Sequence, residues 1–514
     1  MELTRPYNAA VDLLARGRGD RVVYRDDRTE LTYDALRERV DRAGRALRGL
    51  GLEPEQRVVL ALLDTVDFPA VFLGAIKAGL VPVPVNTLLA PDDYAFLLRD
   101  SRARAVVVSD ALAGKLAPGI AAAGIDRIVV ASSPLPTTDA PPAGARSLDA
   151  LLAAAAPELA PAPTTADDVA FWLYSSGSTG TPKGAMHLHG HLMQTAALYA
   201  QGVLGLGEDD VVFSAAKLFF AYGLGNALTF PLAVGASAVL MAERPTPAAV
   251  VRMLRTHQPT VFCGVPTLFA SLLASDVARP DGASARLRVS ISAGEALPRH
   301  VGERWRERIG TDILDGIGST EMLHIFLSNR PGDVRYGTSG KPVPGYELAL
   351  RDEHGAPVGD GDEGVLWVSG PSAAIAYWNQ RARSLTTFQG PWTHTGDRYV
   401  RDADGYYTYC GRADDMMKVG GIWVSPFEVE SALAAHDAVL EAAVVGHADA
   451  DGLVKPRAFV VLKDPARAGD ALAAELKAFV KDHLAPYKYP RTIEFVAELP
   501  KTATGKIQRF RLRG

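Results

Sequence analysis

Tyr174-Ser-Ser-Gly-Ser-Thr-Gly-Thr-Pro-Lys-Gly184 carries the densest chemical signal in the chain. It follows an apolar run over 169–174, which reads as a strand, and precedes a helical pattern from about residue 190. Small residues let the backbone approach an anion closely, and Ser175, Ser178, Thr179 and Thr181 add hydroxyl donors. Lys183 supplies the compact charge suited to a polyphosphate. The loop is not a Walker A sequence. Counted from Gly177, Pro182 stands in place of the second glycine and Gly184 replaces the Ser/Thr after the lysine.

Outward from this loop the chain alternates short apolar runs with helical patterns. Strands are expected over 57–63 and 105–109, and again near 169–174, 210–215, 236–241, 260–263, 288–292 and 311–316. The stretch 33–50 reads as an amphipathic helix with Leu36, Val40, Ala43 and Leu47 on one face. Such alternation predicts an α/β fold, with parallel-rich sheets covered by helices. Residues 133–165, rich in Pro, Ala and Thr, read as a surface linker. From about 345 the pattern changes to short strands. Asp404-Gly405 between 398–401 and 406–409 marks a hairpin in a small antiparallel β unit. The last hundred residues mix helices (426–435, 471–484) with strands (442–446, 457–462, 492–496) and form a small α+β module. The expected division is a large N-terminal domain over 1–412 and a C-terminal domain over 413–514.

Composition narrows the function classes. The 514 residues carry a formal charge of −5, with 48% hydrophobic and 22% charged residues, as in an ordinary globular enzyme. A mildly acidic balance argues against a nucleic-acid partner. Two cysteines, Cys263 and Cys410, make no disulfide framework and suit a reducing cytosol. The N-terminus lacks the pattern of a signal peptide. The longest apolar run, 68–85, contains Lys77 and is crowded at its end by Gly79, Pro82 and Pro84, so no membrane span is expected. These features predict a soluble cytoplasmic enzyme; monomer and homodimer both stay open. Only 13 of the 54 basic residues are lysines, and five of those precede residue 413. Either lysine is kept where a compact cation is needed, or the chain is Arg-biased with a Lys-rich surface on one module.

The 174–184 loop resembles the phosphate-binding signature of the adenylate-forming superfamily, which includes acyl- and aryl-CoA ligases, carrier-loading adenylation domains and beetle luciferases. Four further stations match in order, so the resemblance spans essentially the whole chain. It implies that Ser175, Ser176, Gly177, Ser178, Thr179, Gly180, Thr181 and Lys183 cradle the phosphates of ATP, with Thr179 and Lys183 among the catalytic groups. In Asp315-Gly-Ile-Gly-Ser-Thr-Glu321 it implies nucleotide contacts from Asp315, Gly316, Ile317 and Thr320. There Glu321, with Thr179, holds Mg2+ on the phosphates. Many relatives carry Tyr where this chain has Ile317, so adenine packing falls to Ile317 and to Ser292-Ala-Gly-Glu-Ala296, with Gly294 and Glu295. In Thr395-Gly-Asp397 the family's Asp accepts from both ribose hydroxyls.

The resemblance makes Gly411-Arg-Ala-Asp-Asp-Met-Met-Lys-Val-Gly-Gly421 the domain boundary. Arg412 reaches ribose or phosphate, Asp414 is the hinge of a mobile C-terminal domain, and Gly420 and Gly421 line a tunnel for the pantetheine arm. In Pro500-Lys-Thr-Ala-Thr-Gly-Lys-Ile507, Lys506 matches the catalytic lysine that bridges the substrate carboxylate and the α-phosphate. Tyr487, Lys488 and Arg491 resemble the strip that meets the nucleotide end of CoA. The stretches 214–244 and 316–326 resemble the benzoate-CoA ligase branch. A flat aryl ring needs a narrow slot, and the resemblance implies a lining of Phe220, Ala221, Tyr222, Gly318, His324 and Ile325. Tyr222 and His324 either hydrogen-bond a ring substituent or fill space. The implied activity joins benzoate or a substituted benzoate, such as 2-aminobenzoate, to CoA through an aryl-AMP, with ATP, Mg2+ and CoA as cofactors. A stand-alone adenylation enzyme loading an acyl carrier protein shares the first step, and a non-catalytic binder would have lost Lys506, Glu321 or Asp397.

Overall fold

Thr32 accepts a hydrogen bond from the Ala35 amide and so caps the helix Tyr33–Gly49, whose buried face holds Leu36, Val40, Ala43 and Leu47. That helix crosses Asp67–Lys77 closely enough that a Cβ on Gly44 would lie 2.7 Å from the Gly74 carbonyl oxygen. Asp67–Lys77 is buried along its length except at Lys77, which meets Asp41. These elements belong to a computed structural model that describes residues 5–137, 140–176, 182–275, 283–413, 415–419, 422–448, 453–501 and 507–513. Among the described residues, no helix is long and apolar enough to cross a membrane.

Two parallel-rich sheets form the large part of the molecule. One runs Val81–Pro84, Arg57–Ala61, Ala105–Ser109, Ile128–Ala131 and Arg146–Ser147, all parallel. The other has a parallel centre, Ile313–Gly318, Val289–Ser292, Val261–Gly264, Val211–Ser214, Ser237–Val239 and Val22–Arg25. Antiparallel strands close it at both edges, Ile325–Ser328 with Lys341–Pro342 and Glu30–Thr32. The central strands are buried on both faces, which is why they read as continuous apolar runs.

Two expectations are corrected. The strand over 169–174 does not join a parallel sheet. It forms as Val169–Ser176 and pairs antiparallel with Pro182–Leu188, a strand the sequence did not suggest. Only five residues separate the two, far too few for the crossover that a parallel pair needs. The ends of the 174–184 stretch therefore lie on two antiparallel strands, and the helix His189–Thr195 begins only after the second strand. The linker over 133–165 is also shorter than expected. Its stretch Arg146–Ser147 adds a strand, and Ser147 caps the helix Leu148–Ala154, which buries Leu148, Leu151 and Leu152.

Downstream, Glu347–Arg351, Glu363–Ser369, Trp392–Arg401 and Tyr407–Arg412 form the expected antiparallel unit, with Gly405 at φ 81° in the turn. The C-terminal region has its own core around Val424, Val429, Leu433, Val444, Val460, Leu476 and Val480. That core is enclosed by the sheet Val439–Ala448, Val454–Leu462 and Thr492–Phe495 and by the helices Pro426–Ala434 and Asp470–His483.

Candidate active site

The hairpin sets Ser175 opposite Lys183. Both meet Glu321, which arrives from the turn after Ile313–Gly318: Ser175 Oγ donates to its Oε1 at 3.4 Å and Lys183 Nζ lies 3.7 Å away. The Thr320-Glu321 turn opens no helix. Ser319 Oγ accepts from the Met322 amide, and the buried His187 bonds the Thr320 carbonyl at 2.8 Å. Because a carbonyl only accepts, His187 Nε2 carries the proton. Burial lowers His187 to about 4, so it is neutral at physiological pH.

A fourth group in this cluster was not singled out from the sequence. Tyr377 donates its hydroxyl to Glu321 Oε1 at 2.7 Å, accepts from Lys183 Nζ at 3.3 Å, and sets its ring 4.6 Å beneath that ammonium. Burial, then the charge of Glu321, holds its phenol well above the ordinary tyrosine range, so it stays protonated. The signal in the sequence was weak: an aromatic residue ending the small run Ala373-Ala-Ile-Ala-Tyr377.

Glycines at Gly316 and Gly318 are required by close backbone. A Cβ on Gly316 would stand 2.8 Å from the Leu327 carbonyl oxygen, and on Gly318 2.5 Å from that of His324. Between them Ile317 is half-buried against the main core. Asp315 is fully buried, and burial pushes its carboxyl well above the ordinary range. Asp397 and Arg412 are cross-strand neighbours, with Nη1 to Oδ1 at 3.3 Å. Tyr399 lies near both Asp397 and Asp315, its phenol pushed up by burial and then by the Asp397 charge.

Of the aryl-slot candidates, Tyr222, Gly318 and His324 come together. Tyr222 gives its hydroxyl to the carbonyls of Gly264 (3.2 Å) and Ile291 (3.0 Å), so that group is engaged by backbone. His324 bonds the Tyr222 carbonyl at 3.3 Å and is ringed by Phe230, Tyr199 and Tyr222, with centroids 4.4, 5.4 and 5.7 Å away. Burial lowers His324 to about 3. Its Nε2 therefore carries the proton, and Nδ1 is an acceptor with no partner among the described residues. Ala221 and Ile325 are buried, and Phe220 and Gly318 half-buried. Beneath this segment Asp64 accepts from the Leu218 amide, and Lys217 donates to the Met241 and Glu243 carbonyls.

The remaining candidates divide. Glu295, after Gly294 at φ 95°, accepts from the Ile507 amide at 2.9 Å, which brings the chain just past Lys506 against the large domain. Lys488 is held by both carboxylate oxygens of Glu428, and Arg491 stacks on Tyr489 at 3.7 Å, so with Tyr487 they pack within the C-terminal unit. Gly177, Ser178, Thr179, Gly180, Thr181, Asp414, Gly420, Gly421 and Lys506 lie outside the described residues, as does the side chain of Ser176. No group of three or more His, Cys, Asp or Glu side chains suited to a metal occurs among the described residues. One carboxylate beside hydroxyls fits a magnesium ion whose other ligands are phosphate oxygens and water.

The model of the AMP-binding enzyme family matches residues 12–378, and that of the AMP-binding enzyme C-terminal domain matches 428–506. The chain belongs to the AMP-binding enzyme family. This AMP-binding enzyme is 59% identical to a benzoate–CoA ligase of Thauera aromatica, over 100% of this chain and 97% of the relative. Among solved structures it resembles a benzoate CoA ligase from Burkholderia xenovorans LB400, with TM-score 0.92 and 55% identity over 99% of this chain and 100% of the other. It also resembles the anthranilate CoA ligase AuaEII in complex with anthranoyl-AMP, with TM-score 0.94 and 42% identity over 100% and 98% of the two chains.

Proposed function

We infer that this AMP-binding enzyme is an ATP-dependent aryl-CoA ligase acting on benzoate or a substituted benzoate such as 2-aminobenzoate. The observation that carries this reading is the full-length 59% identity to a benzoate–CoA ligase. In the first step a carboxylate oxygen attacks the α-phosphorus of ATP and pyrophosphate leaves, giving aryl-AMP. In the second the CoA sulfur attacks the acyl carbon, AMP leaves, and the thiol proton passes to solvent.

The site roles follow from chemistry. Lys183 binds the polyphosphate together with the 177–181 loop, and Ser175 steadies Glu321. Glu321 and Thr179 would hold magnesium, which when bound screens the phosphate charge. Asp397 takes the ribose, Arg412 reaches ribose or phosphate, and Ile317 packs on adenine with the 292–296 segment. Lys506 bridges the incoming carboxylate and the α-phosphate; the contact of its neighbour Ile507 with Glu295 supports this role. The domain boundary falls at 412/413, with Asp414 as hinge, and the separate core beyond Met417 supports that division. A swing about the hinge would bring Gly420 and Gly421 toward the thiol arm, and Tyr487, Lys488 and Arg491 toward the nucleotide end of CoA.

A pyrophosphate-release assay across benzoate, aminobenzoates, hydroxybenzoates and halobenzoates tests the reading. Benzoate or 2-aminobenzoate is expected to give the highest kcat/KM, with CoA accepted in preference to a phosphopantetheinyl carrier protein. Folded protein that forms no AMP with any of these acids would overturn it.

A further inference from the structure

Tyr377 sits where the polyphosphate-binding cation and the candidate metal carboxylate meet. The segment that carries it is fixed by backbone on two sides. The Trp378 amide donates to the Gly184 carbonyl, and the segment exchanges hydrogen bonds with Met186 through Ile375 and Ala376. On the other side the Ala374 amide donates to the Glu321 carbonyl at 2.7 Å. Ser384 Oγ accepts from the Tyr377 amide at 3.0 Å, and the Tyr377 ring rests on Phe388 at 5.2 Å. The phenol is therefore delivered by a rigid support to a fixed point between two charges.

Lys183 and Glu321 stand 3.7 Å apart with side chains only 18% and 15% exposed. Opposite charges so shielded attract strongly, and a closed pair at hydrogen-bond distance would occupy both groups. The tyrosine hydroxyl supplies each with a partner instead: it donates to Glu321 Oε1 and accepts from Lys183. Among the described residues no hydrogen bond engages Glu321 Oε2, which leaves its lone pairs for a cation, and Lys183 has two further ammonium protons for phosphate oxygens.

We propose that Tyr377 is a positioning residue for ATP binding, holding Glu321 and Lys183 apart so that each can take its own share of a magnesium–nucleotide complex. The proposal rests on the aryl-CoA ligase reading and adds to it a residue that touches neither acid nor CoA. Tyr377→Phe removes one oxygen and leaves the ring on Phe388. Calorimetric titration of the full chain with ATP and magnesium, without any acid, is expected to give a Kd raised roughly tenfold, the scale of one hydrogen bond to a charged group. Conversion of supplied benzoyl-AMP to benzoyl-CoA is expected to stay within twofold, and the thermal midpoint to stay near that of the parent. In a Glu321→Gln background the same substitution is expected to change the Kd by less than twofold, because the shared partner is already altered. A tenfold change that persists in that background, an unchanged Kd, or an equal loss in both half-reactions would each overturn the proposal. Failure of the parent enzyme to form AMP with aromatic acids would count against the ligase reading alone, since the ATP titration does not need the acid.

Discussion

The side of the site proposed to take phosphate and the side proposed to take the aromatic acid treat polar groups in opposite ways. Around Lys183, Glu321, Ser175 and Tyr377, half-buried charges share partners and keep hydrogen-bonding capacity for a ligand. Around His324 and Tyr222, hydroxyl and imidazole groups bond backbone carbonyls and rings fill the space, and His324 Nδ1 is one of several buried polar atoms without a partner among the described residues. The first arrangement suits a ligand of many negative charges, and the second a flat apolar one. ATP binding and acid selection should therefore respond to different substitutions.

The largest effect is expected where charge develops. Lys506→Ala should reduce aryl-AMP formation about 10²- to 10³-fold while leaving thioester formation from supplied aryl-AMP nearly intact. Rapid-quench measurement of the two half-reactions checks this, and equal losses would remove Lys506 from its role. Glu321→Gln should lower adenylation about a hundredfold with little change in the preference among aromatic acids. A changed acid preference would break the separation between the two sides.

His324→Phe probes the other side. It is expected to change the ratio of kcat/KM for benzoate over 2-aminobenzoate by roughly tenfold, with the KM for ATP within twofold. The same variant carries a pH signature. His324 titrates near 3 in the folded protein and near 6.5 when unfolded, so its neutral form contributes stability above pH 6.5 that is lost as pH falls toward 3. Phenylalanine has no such proton. Urea denaturation of both proteins at pH 7.5 and 5.5 should therefore show the variant gaining about 1.4 kcal/mol relative to the parent for the unit below 6.5. A constant difference would mean that the imidazole is not buried in its neutral form.

The sequence made the phosphate side the more legible. Its residues are charged, small or hydroxyl-bearing and stand in fixed order, so Lys183, Glu321, Asp397 and Lys506 could be named from the motifs alone. The strand rhythm likewise anticipated the parallel centre and the Asp404-Gly405 hairpin. What escaped depends on contacts between distant segments. Tyr377 meets Glu321 across 56 residues and Lys183 across 194, and no local spacing records that meeting. The strand Pro182–Leu188 escaped because its Pro-Lys-Gly start reads as loop, and it is the pairing with Val169–Ser176 that extends it. The scarce lysines divide as well. Lys77 pairs with Asp41 and Lys217 holds two backbone carbonyls, so a compact cation serves structure at these points.

The most direct test mixes the enzyme with benzoate, ATP and magnesium and adds CoA only afterwards. Benzoyl-AMP and pyrophosphate are expected to form in amounts close to the enzyme present, and CoA should then convert the adenylate to benzoyl-CoA and AMP. ADP as the nucleotide product, or thioester formed without any benzoyl-AMP, would contradict the account.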